Sequence, residues 1–180
     1  MVNYTYMSFL TPEHLVRELY LKKGDKVADI GCGSGAYTIA LSREVGDIGQ
    51  VYAVDVHREM LRSLTLTFEK NNILNIDTIW ADVENEINIE SYSLDAVVLS
   101  NVLFQLENKG AALNNVCKIL KPGGQLLVVD WSDSHSGIGP HKDHVLDEQA
   151  AETLISKHGF RIIKRLPAGK YHYAFLAISD

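Results

Sequence analysis

The segment 27–35, with sequence VADIGCGSG, constrains the fold of this chain more than any other stretch. An apolar run ends at Ile30, glycine then occupies every second position at 31, 33 and 35, and a helical pattern begins near Ala36. Glycine tolerates positive φ and lets a ligand approach the backbone because no Cβ stands in the way. A strand, a glycine turn and a helix in this order predict an α/β sheet that binds a ligand beyond the carboxyl ends of its strands.

Short β-branched runs alternate with helical stretches from this segment to residue 131. Apolar positions recur at helical spacing in the longer stretches, and runs such as AVVL and LLVV suit strands that are covered on both faces. Strands separated by helices of this length imply βαβ units and a parallel sheet. The predicted strands are 26–30, 50–56, 76–82, 94–100 and 125–131, and the predicted helices are 11–21, 36–46, 57–72 and 109–124.

The C-terminal part of the chain has a different pattern. A loop is followed by one predicted helix over 146–159 and by two strand-like runs over 160–166 and 171–179. The connection PAGK between these runs is too short for a crossover, so it can join only antiparallel strands. The sheet is therefore expected to be parallel for five strands and to end in a hairpin.

Composition and charge exclude several classes of protein. A chain of 180 residues with 46% hydrophobic residues fits one globular domain. The net charge of −6 without a basic stripe argues against nucleic-acid binding. The two cysteines, Cys32 and Cys117, are far apart and suggest no disulfide framework. We see no secretory signal and no apolar run long enough for a membrane span, so we expect a cytoplasmic protein.

Two classes of ligand fit a glycine turn at the end of a parallel strand: a dinucleotide and S-adenosylmethionine. Gly31, Gly33 and Ala36 satisfy the pattern G-x-G-x-x-G/A. Asp55 lies close to the offset of about 20 residues at which a dinucleotide-binding fold places its ribose-binding acid. A nicotinamide-dependent oxidoreductase is therefore one alternative.

The acids around the glycine turn favour the second ligand. Asp29, just before the glycines, would repel a pyrophosphate but could accept hydrogen bonds from a ligand ammonium. Asp82, in the segment WADVEN beyond the third strand, could accept a hydrogen bond from the exocyclic amine of an adenine. The expected C-terminal hairpin points the same way.

Five segments together carry a family resemblance: VADIGCGSG, VYAVDV, ADVEN, LDAVVLSNVLFQL and LKPGGQLLVVDW. They resemble the successive motifs of class I S-adenosylmethionine-dependent methyltransferases, most closely the small branch related to ubiquinone and menaquinone biosynthesis methyltransferases. The resemblance covers residues 8–179. It implies an α/β, Rossmann-like three-layer sandwich with a seven-stranded, mostly parallel sheet and an antiparallel C-terminal strand. It also implies a single methyltransferase domain, with a helix and cofactor lid over 1–22, a cofactor-binding core over 23–131 and an acceptor-side loop, helix and hairpin over 132–180.

The resemblance also assigns roles in binding S-adenosylmethionine. The residues expected around its methionine moiety and sulfonium are Asp29 near the amino group, the backbone of Gly31, Cys32 and Gly33, then Ser100 and Asn101, with Phe9 as a cap. The residues expected around its adenosine are Asp55 on both ribose hydroxyls, Val56 and Met60 beside the adenine, and Asp82 and Val83 at its amine and ring edge. Two hydroxyls on adjacent carbons suit one bidentate carboxylate.

Structural roles are the alternative for some of these residues. Asp29 could cap the following helical region, and Asp55 could be a turn acid. Cys32 is expected to be a small loop residue, because a reactive thiol needs an electropositive setting. Cys117 lies among apolar neighbours on a predicted helix and is expected in the core.

Methyl transfer places few demands on catalytic side chains. It is an in-line displacement at a carbon that the sulfonium already activates, so a general base is needed only if the acceptor must lose a proton. His141 and His172 are the candidate bases. No metal site is expected, because the acids and histidines of the loop after the fifth strand have loose spacing: Asp133, His135, His141, Asp143 and His144.

The acceptor is expected to be a small molecule, because the chain has little beyond its core with which to build a substrate lid. A second subunit could cover part of it, so a homodimer is one option. The sequence leaves a further alternative from another class, a protein that binds S-adenosylmethionine as a regulator or subunit without transferring a methyl group.

Overall fold

Seven strands and five α-helices alternate along residues 11–134 and 138–180, which are the residues that this computed structural model describes. The helices are α1 (Pro12–Val16), α2 (Ala36–Val45), α3 (Arg58–Lys70), α4 (Lys109–Ile119) and α5 (Glu148–Lys157). The strands are β1 (Lys26–Ile30), β2 (Gln50–Asp55), β3 (Ile76–Trp80), β4 (Leu94–Ser100), β5 (Leu120–Trp131), β6 (Phe160–Leu166) and β7 (His172–Ser179). Short 3-10 helices lie at Leu103–Gln105 and Lys142–His144.

All seven strands form one sheet in the order β3-β2-β1-β4-β5-β7-β6. The first five strands pair in parallel, and β7 runs antiparallel to both of its neighbours, β5 and β6. This confirms the predicted α/β fold with a mostly parallel sheet and an antiparallel C-terminal strand. The order also shows that β7, the second strand of the hairpin, lies next to β5, so that β6 is at the edge of the sheet. The sequence pattern did not specify this order.

Two predicted helices end five residues earlier in the structure than expected. The first helix, expected over 11–21, is only one turn and a half long and ends at Val16. The helix expected over 109–124 ends at Ile119, and the chain becomes extended at Leu120. Because Pro122 disfavours helical φ and ψ at the residue before it, the segment 120–124 joins β5 instead, with a register shift opposite Leu94 and Ala96.

The sheet is covered on both faces, as its apolar runs predicted. Side chains alternate along β5, so Leu127 packs in the cluster that contains Leu15 of α1, while Val128 packs with Leu113 of α4. The thiols of Cys32 and Cys117 are both free, the first buried and the second half-buried. Within residues 11–134 and 138–180, the helices are too short or too polar to cross a membrane.

Candidate functional site

A cleft of about 1030 Å³ opens at the carboxyl ends of β1, β2 and β4. This is the edge of a doubly wound sheet at which ligands are expected, on either side of the point where the strand order reverses. Four pieces of chain form most of the cleft: the glycine turn after β1, the residues that follow β2, the loop after β3, and the turn between β4 and α4; Pro12 of α1 also lines it.

Every predicted cofactor-binding residue within the described part of the chain lines this cleft. They are Asp29, Gly31, Cys32, Gly33, Asp55, Val56, Met60, Asp82, Val83, Ser100 and Asn101. Phe9 lies outside the described residues. The fold therefore brings together positions that are up to 72 residues apart in sequence.

The glycine turn has backbone conformations and contacts that explain its composition. Gly31 has φ +72° and Gly33 has φ +49°. The N–H groups of Gly31 and Cys32 donate to the Val54 carbonyl at 2.8 and 3.0 Å, which ties the turn to β2. A Cβ at position 31 would lie 2.4 Å from Cγ2 of Val102. Position 31 therefore excludes other residues both by its φ and by the side chain that packs against it.

Asp29 is a buried carboxyl at the floor of the cleft. It is 1% exposed and accepts a hydrogen bond of 2.5 Å from Oγ1 of Thr38, in the first turn of α2. Burial raises the pKa of Asp29 to about 6, although the Thr38 hydrogen bonds oppose this shift. Asp29 thus both fastens α2 to β1 and presents a poorly solvated carboxyl to the cleft, where a ligand cation would stabilise its ionised form.

Asp55 connects the end of β2 to the glycine turn. Its Oδ2 accepts from the N–H of Gly33 at 3.0 Å, and its Oδ1 accepts from the N–H of His57 at 2.9 Å. Nδ1 of the His57 ring also lies 2.9 Å from Oδ1. Burial disfavours the charged form, but the N–H groups of His57 and Gly33 together with the His57 ring outweigh it, so the pKa of Asp55 is lowered. The carboxylate is therefore ionised at neutral pH.

Asp82 shapes the loop that follows β3. Its Oδ1 accepts from the N–H of Glu84 at 2.9 Å, and its Oδ2 accepts from Nδ2 of Asn85 at 2.9 Å. These contacts form an Asx-type turn. A carboxylate has about four lone-pair positions, so Asp82 retains acceptor capacity on the side that faces the cleft.

Two side chains with buried polar atoms line the cleft beside the end of β4: Oδ1 of Asn101 has no hydrogen-bond partner among the described residues, whereas the Tyr37 hydroxyl interacts with the side chain of Ser100. Asn101 also has a positive φ of 58° at the end of β4. Buried polar groups in folded proteins are nearly always hydrogen-bonded, so the unpaired Oδ1 of Asn101 is an acceptor that a polar ligand in the cleft could satisfy. Asn101 was predicted as a site residue from the sequence, whereas Tyr37 was not. The local sequence around a tyrosine on a helix does not indicate where its hydroxyl lies in the folded protein.

Acidic side chains dominate the charge of the cleft. Among its described lining residues there is no lysine or arginine, and the acids are Asp29, Asp55, Asp82, Glu84 and Glu107. Such a surface attracts cations and repels anions, because uncompensated carboxylates lie on several sides of the same space. Glu84, Glu107 and His57 were not among the site residues predicted from the sequence.

The two candidate general bases lie away from the lining of the cleft. His141 is largely exposed and lies 3.1 Å from Oδ2 of Asp143. His172 is paired with Trp131 across β5 and β7, and the two rings are in contact with centroids 4.3 Å apart and an interplanar angle of 37°. His135 lies outside the described residues. Among the residues that are described, no group of three or more acids, histidines or cysteines is placed to hold a metal ion.

Comparison with known proteins assigns the chain to a family. The model of the methyltransferase domain family matches residues 27–124, which include the glycine turn, both predicted ligand acids after it and the turn beyond β4. The chain belongs to the methyltransferase domain family. The match confirms the resemblance on which the expected fold was based.

Individual relatives agree with this assignment. A ubiquinone/menaquinone biosynthesis C-methyltransferase of Haemophilus ducreyi is 34% identical over 113 residues, which are 62% of this chain and 43% of that protein. A demethylmenaquinone methyltransferase of Staphylococcus aureus is 29% identical over 123 residues, 67% of this chain and 48% of that protein. The matched region thus spans less than half the length of these curated relatives.

A solved structure with a similar fold covers nearly all of the chain. The crystal structure of a SAM-dependent methyltransferase from Aquifex aeolicus is 27% identical in sequence and superimposes with a TM-score of 0.88. The match covers 96% of this chain and 92% of that one. The similarity therefore includes the C-terminal hairpin, which lies beyond the region matched by the family model.

Proposed function

We propose that this methyltransferase-family protein uses S-adenosylmethionine to methylate a small-molecule acceptor. The observation that carries the proposal is the charge of the cleft. Its described lining has five carboxylates and no lysine or arginine, as set out above. S-adenosylmethionine brings a sulfonium and an ammonium, whereas a dinucleotide brings a pyrophosphate that these carboxylates would repel. The cleft therefore favours the sulfonium ligand over NAD.

The methionine end of the ligand fits the turn after β1. The ammonium would bind near Asp29, whose buried carboxyl gains a compensating charge from it. Oδ1 of Asn101 supplies an unpartnered acceptor to the cleft, and Tyr37, whose hydroxyl interacts with Ser100, also lines it. Ser100 and Asn101, at the end of β4, would then lie beside the sulfonium.

The adenosine end fits the ionised carboxylate of Asp55. Oδ2 has one backbone donor, so it can accept a ribose hydroxyl without losing that bond. Oδ1 already has the His57 N–H and the His57 ring beside it, so a second ribose hydroxyl requires that ring to turn away. Val56 and Met60, both partly exposed at the rim, would cover the adenine.

The bound cofactor supplies a methyl group that is already activated for displacement. The protein is then required to position the two reactants and to exclude water from between them. We assign positioning to the turn after β4, which contributes Asn101, Val102 and Gln105 to the lining of the cleft. A general base at His141 or His172 would be needed only for an acceptor that loses a proton, and both roles remain proposals. We also propose a cytoplasmic location, from the composition of the chain.

Calorimetric titration with S-adenosylmethionine, S-adenosylhomocysteine and NAD tests this function. We expect binding of both sulfur compounds and none of NAD. Asp55→Ala should weaken the sulfur ligands at least about tenfold, because it removes charge-assisted hydrogen bonds to the ribose. Asp95→Ala is the matched control, since Asp95 is an acid at the opposite end of β4, outside the cleft lining. Binding of NAD alone would refute the proposal.

Binding alone does not distinguish an enzyme from a regulator. We therefore propose to incubate the protein with S-adenosylmethionine and a fractionated metabolite extract, and to measure formation of S-adenosylhomocysteine. Formation that depends on both the extract and Asp55 supports transfer. Tight binding with no turnover across all fractions would instead favour the regulator.

A further inference from the structure

Asp130 is a buried acid that the proposed cofactor contacts leave unused. It lies one residue before the end of β5, is 1% exposed, and faces Tyr173 of β7 in the strand register. It does not line the cleft as described. A buried carboxyl is costly unless it has hydrogen-bond partners, so its contacts indicate what it holds in place.

One of those contacts reaches the turn between β4 and α4, and the other lies within β5. Oδ2 of Asp130 accepts from the N–H of Phe104 at 3.1 Å, and Oδ1 accepts from the N–H of Trp131 at 2.8 Å. From the other end of the same turn, Nζ of Lys109 donates to the carbonyl of Leu106 at 2.6 Å. The turn is thus hydrogen-bonded to β5 through Asp130, at Phe104, and to the start of α4 through Lys109, at Leu106.

The opposite side of this turn is a wall of the cleft. Val102 packs against the Cα of Gly31, and Nε2 of Gln105 donates to the carbonyl of Asn101 at 2.6 Å. All of these residues line the cleft. A movement of the 3-10 helix away from Asp130 would therefore displace Val102, which directly precedes it, whereas Asn101 is held separately by its N–H bond of 2.8 Å to the Val129 carbonyl.

We propose, on the basis of the function proposed above, that Asp130 is a positioning residue for the cofactor. Its ionised carboxylate holds the turn 102–107 against the glycine turn and so sets the affinity of the cleft for S-adenosylmethionine and S-adenosylhomocysteine. Asp130 acts through Phe104 and Val102 and does not itself touch the ligand.

The charge state of Asp130 makes this role testable. Burial raises its pKa to about 6, against the opposing effects of the N–H groups of Trp131, Phe104 and Leu103 and of Lys109. On the β7 side it faces Tyr173, and Asp147 and Glu148 at the start of α5 act on that same tyrosine. Protonation turns one carboxylate oxygen into a hydroxyl, which is a poorer acceptor for a backbone N–H. The turn is therefore held less firmly below about pH 6 than above it.

The test compares the affinity for S-adenosylhomocysteine of the wild type and of Asp130→Asn by calorimetry, from about pH 5 to about pH 8. The ratio of the two dissociation constants cancels the titration of Asp29 and of the ligand, which both proteins share. We expect a ratio near one at low pH, where the wild-type carboxyl is neutral like the amide. It should rise to about tenfold above pH 7, the scale of a lost hydrogen bond to a charged group.

A ratio above one that does not change with pH would show a purely structural role for Asp130. A ratio of one at every pH would show no role. Either result overturns the proposal. Asp95→Asn is the matched control, because Asp95 accepts the N–H of Lys26 and lies away from the cleft. It should leave the affinity unchanged at every pH.

Lys109→Met is the second variant, and it keeps the test decisive if Asp130→Asn does not fold. It releases the Leu106 carbonyl without burying a charge, and we expect severalfold weaker binding. Wild-type affinity in Lys109→Met would then refute the proposed positioning of the turn. Failure of the wild type to bind S-adenosylhomocysteine would instead refute the proposed function.

Discussion

Replacing Gly31 by alanine tests the geometry of the cleft at its tightest point. Two separate costs apply to this change. The residue has φ +72°, which costs an alanine roughly 1–2 kcal/mol. The new Cβ would also lie 2.4 Å from Cγ2 of Val102, and overpacking of this kind costs roughly 1–3 kcal/mol. The expected loss is therefore roughly 2–5 kcal/mol of the free energy of unfolding, a large part of the roughly 5–15 kcal/mol typical of a domain.

Gly123→Ala separates the two costs. Gly123 has nearly the same φ, +74°, but a Cβ there would meet no atom within 4 Å. The free energy of unfolding that Gly123→Ala loses should therefore equal the cost of the backbone strain alone. The difference between the two variants in urea unfolding then measures the contact with Val102.

Val102→Ala completes the test as a double-mutant cycle. Removing Cγ2 should restore most of the contact cost in the Gly31→Ala background, with a coupling free energy of roughly 1–3 kcal/mol. Among these variants, Gly31→Ala should also bind S-adenosylhomocysteine most weakly in a calorimetric titration. Equal losses in Gly31→Ala and Gly123→Ala, with no coupling to Val102, would refute the packing of the turn after β4 against the glycine turn.

Two further predictions follow from the acids of the cleft. The folded-state pKa of Asp29, about 6, lies above its ordinary value of 3.8, so its contribution to stability is lost as the pH rises through about 6. Asp29→Asn keeps an acceptor for Thr38. Near pH 7.5 it should be more stable than the wild type by up to about 3 kcal/mol, and near pH 4 it should have no such advantage. Urea midpoints that are equal for the two proteins at both pH values would contradict this. His57→Ala removes a ring that competes for Oδ1 of Asp55, so calorimetry should show S-adenosylhomocysteine binding about two- to tenfold more tightly. Weaker binding would mean that the ring contacts the ligand.

The fold was largely predictable because its determinants are local. Apolar runs with flanking glycines define strands such as Lys26–Ile30, and these bounds agree with the structure. The short connection PAGK allows only an antiparallel pair, which β6 and β7 form. The errors lie at element ends, where tertiary contacts decide the outcome. The segment 120–124 is extended and joins β5 although it follows a helix without a break; Leu120 pairs with Leu94 of β4, and the pairing resumes at Gln125 after a register shift.

The site was predictable only where its residues stand next to a strand end. Asp55 and Asp82 follow β2 and β3, so the topology places them at the same edge as the glycine turn. Tyr37 reaches the cleft from a helix, and Glu107 reaches it from the turn in which Asp130 accepts the N–H of Phe104. Neither has a local sequence signal, because its position depends on packing between distant segments.

By itself, the sequence determined the alternation of strands and helices, the need for glycine between β1 and α2, and the supply of acids at strand ends. Each of these depends on backbone conformation or hydrophobic period within a few residues. Only the tertiary structure decided that Val102 lies against Gly31 and that the carboxyls of Asp29 and Asp130 lose their water. Contact and desolvation depend on what the rest of the chain places around a residue, and that environment raises the pKa of both buried acids.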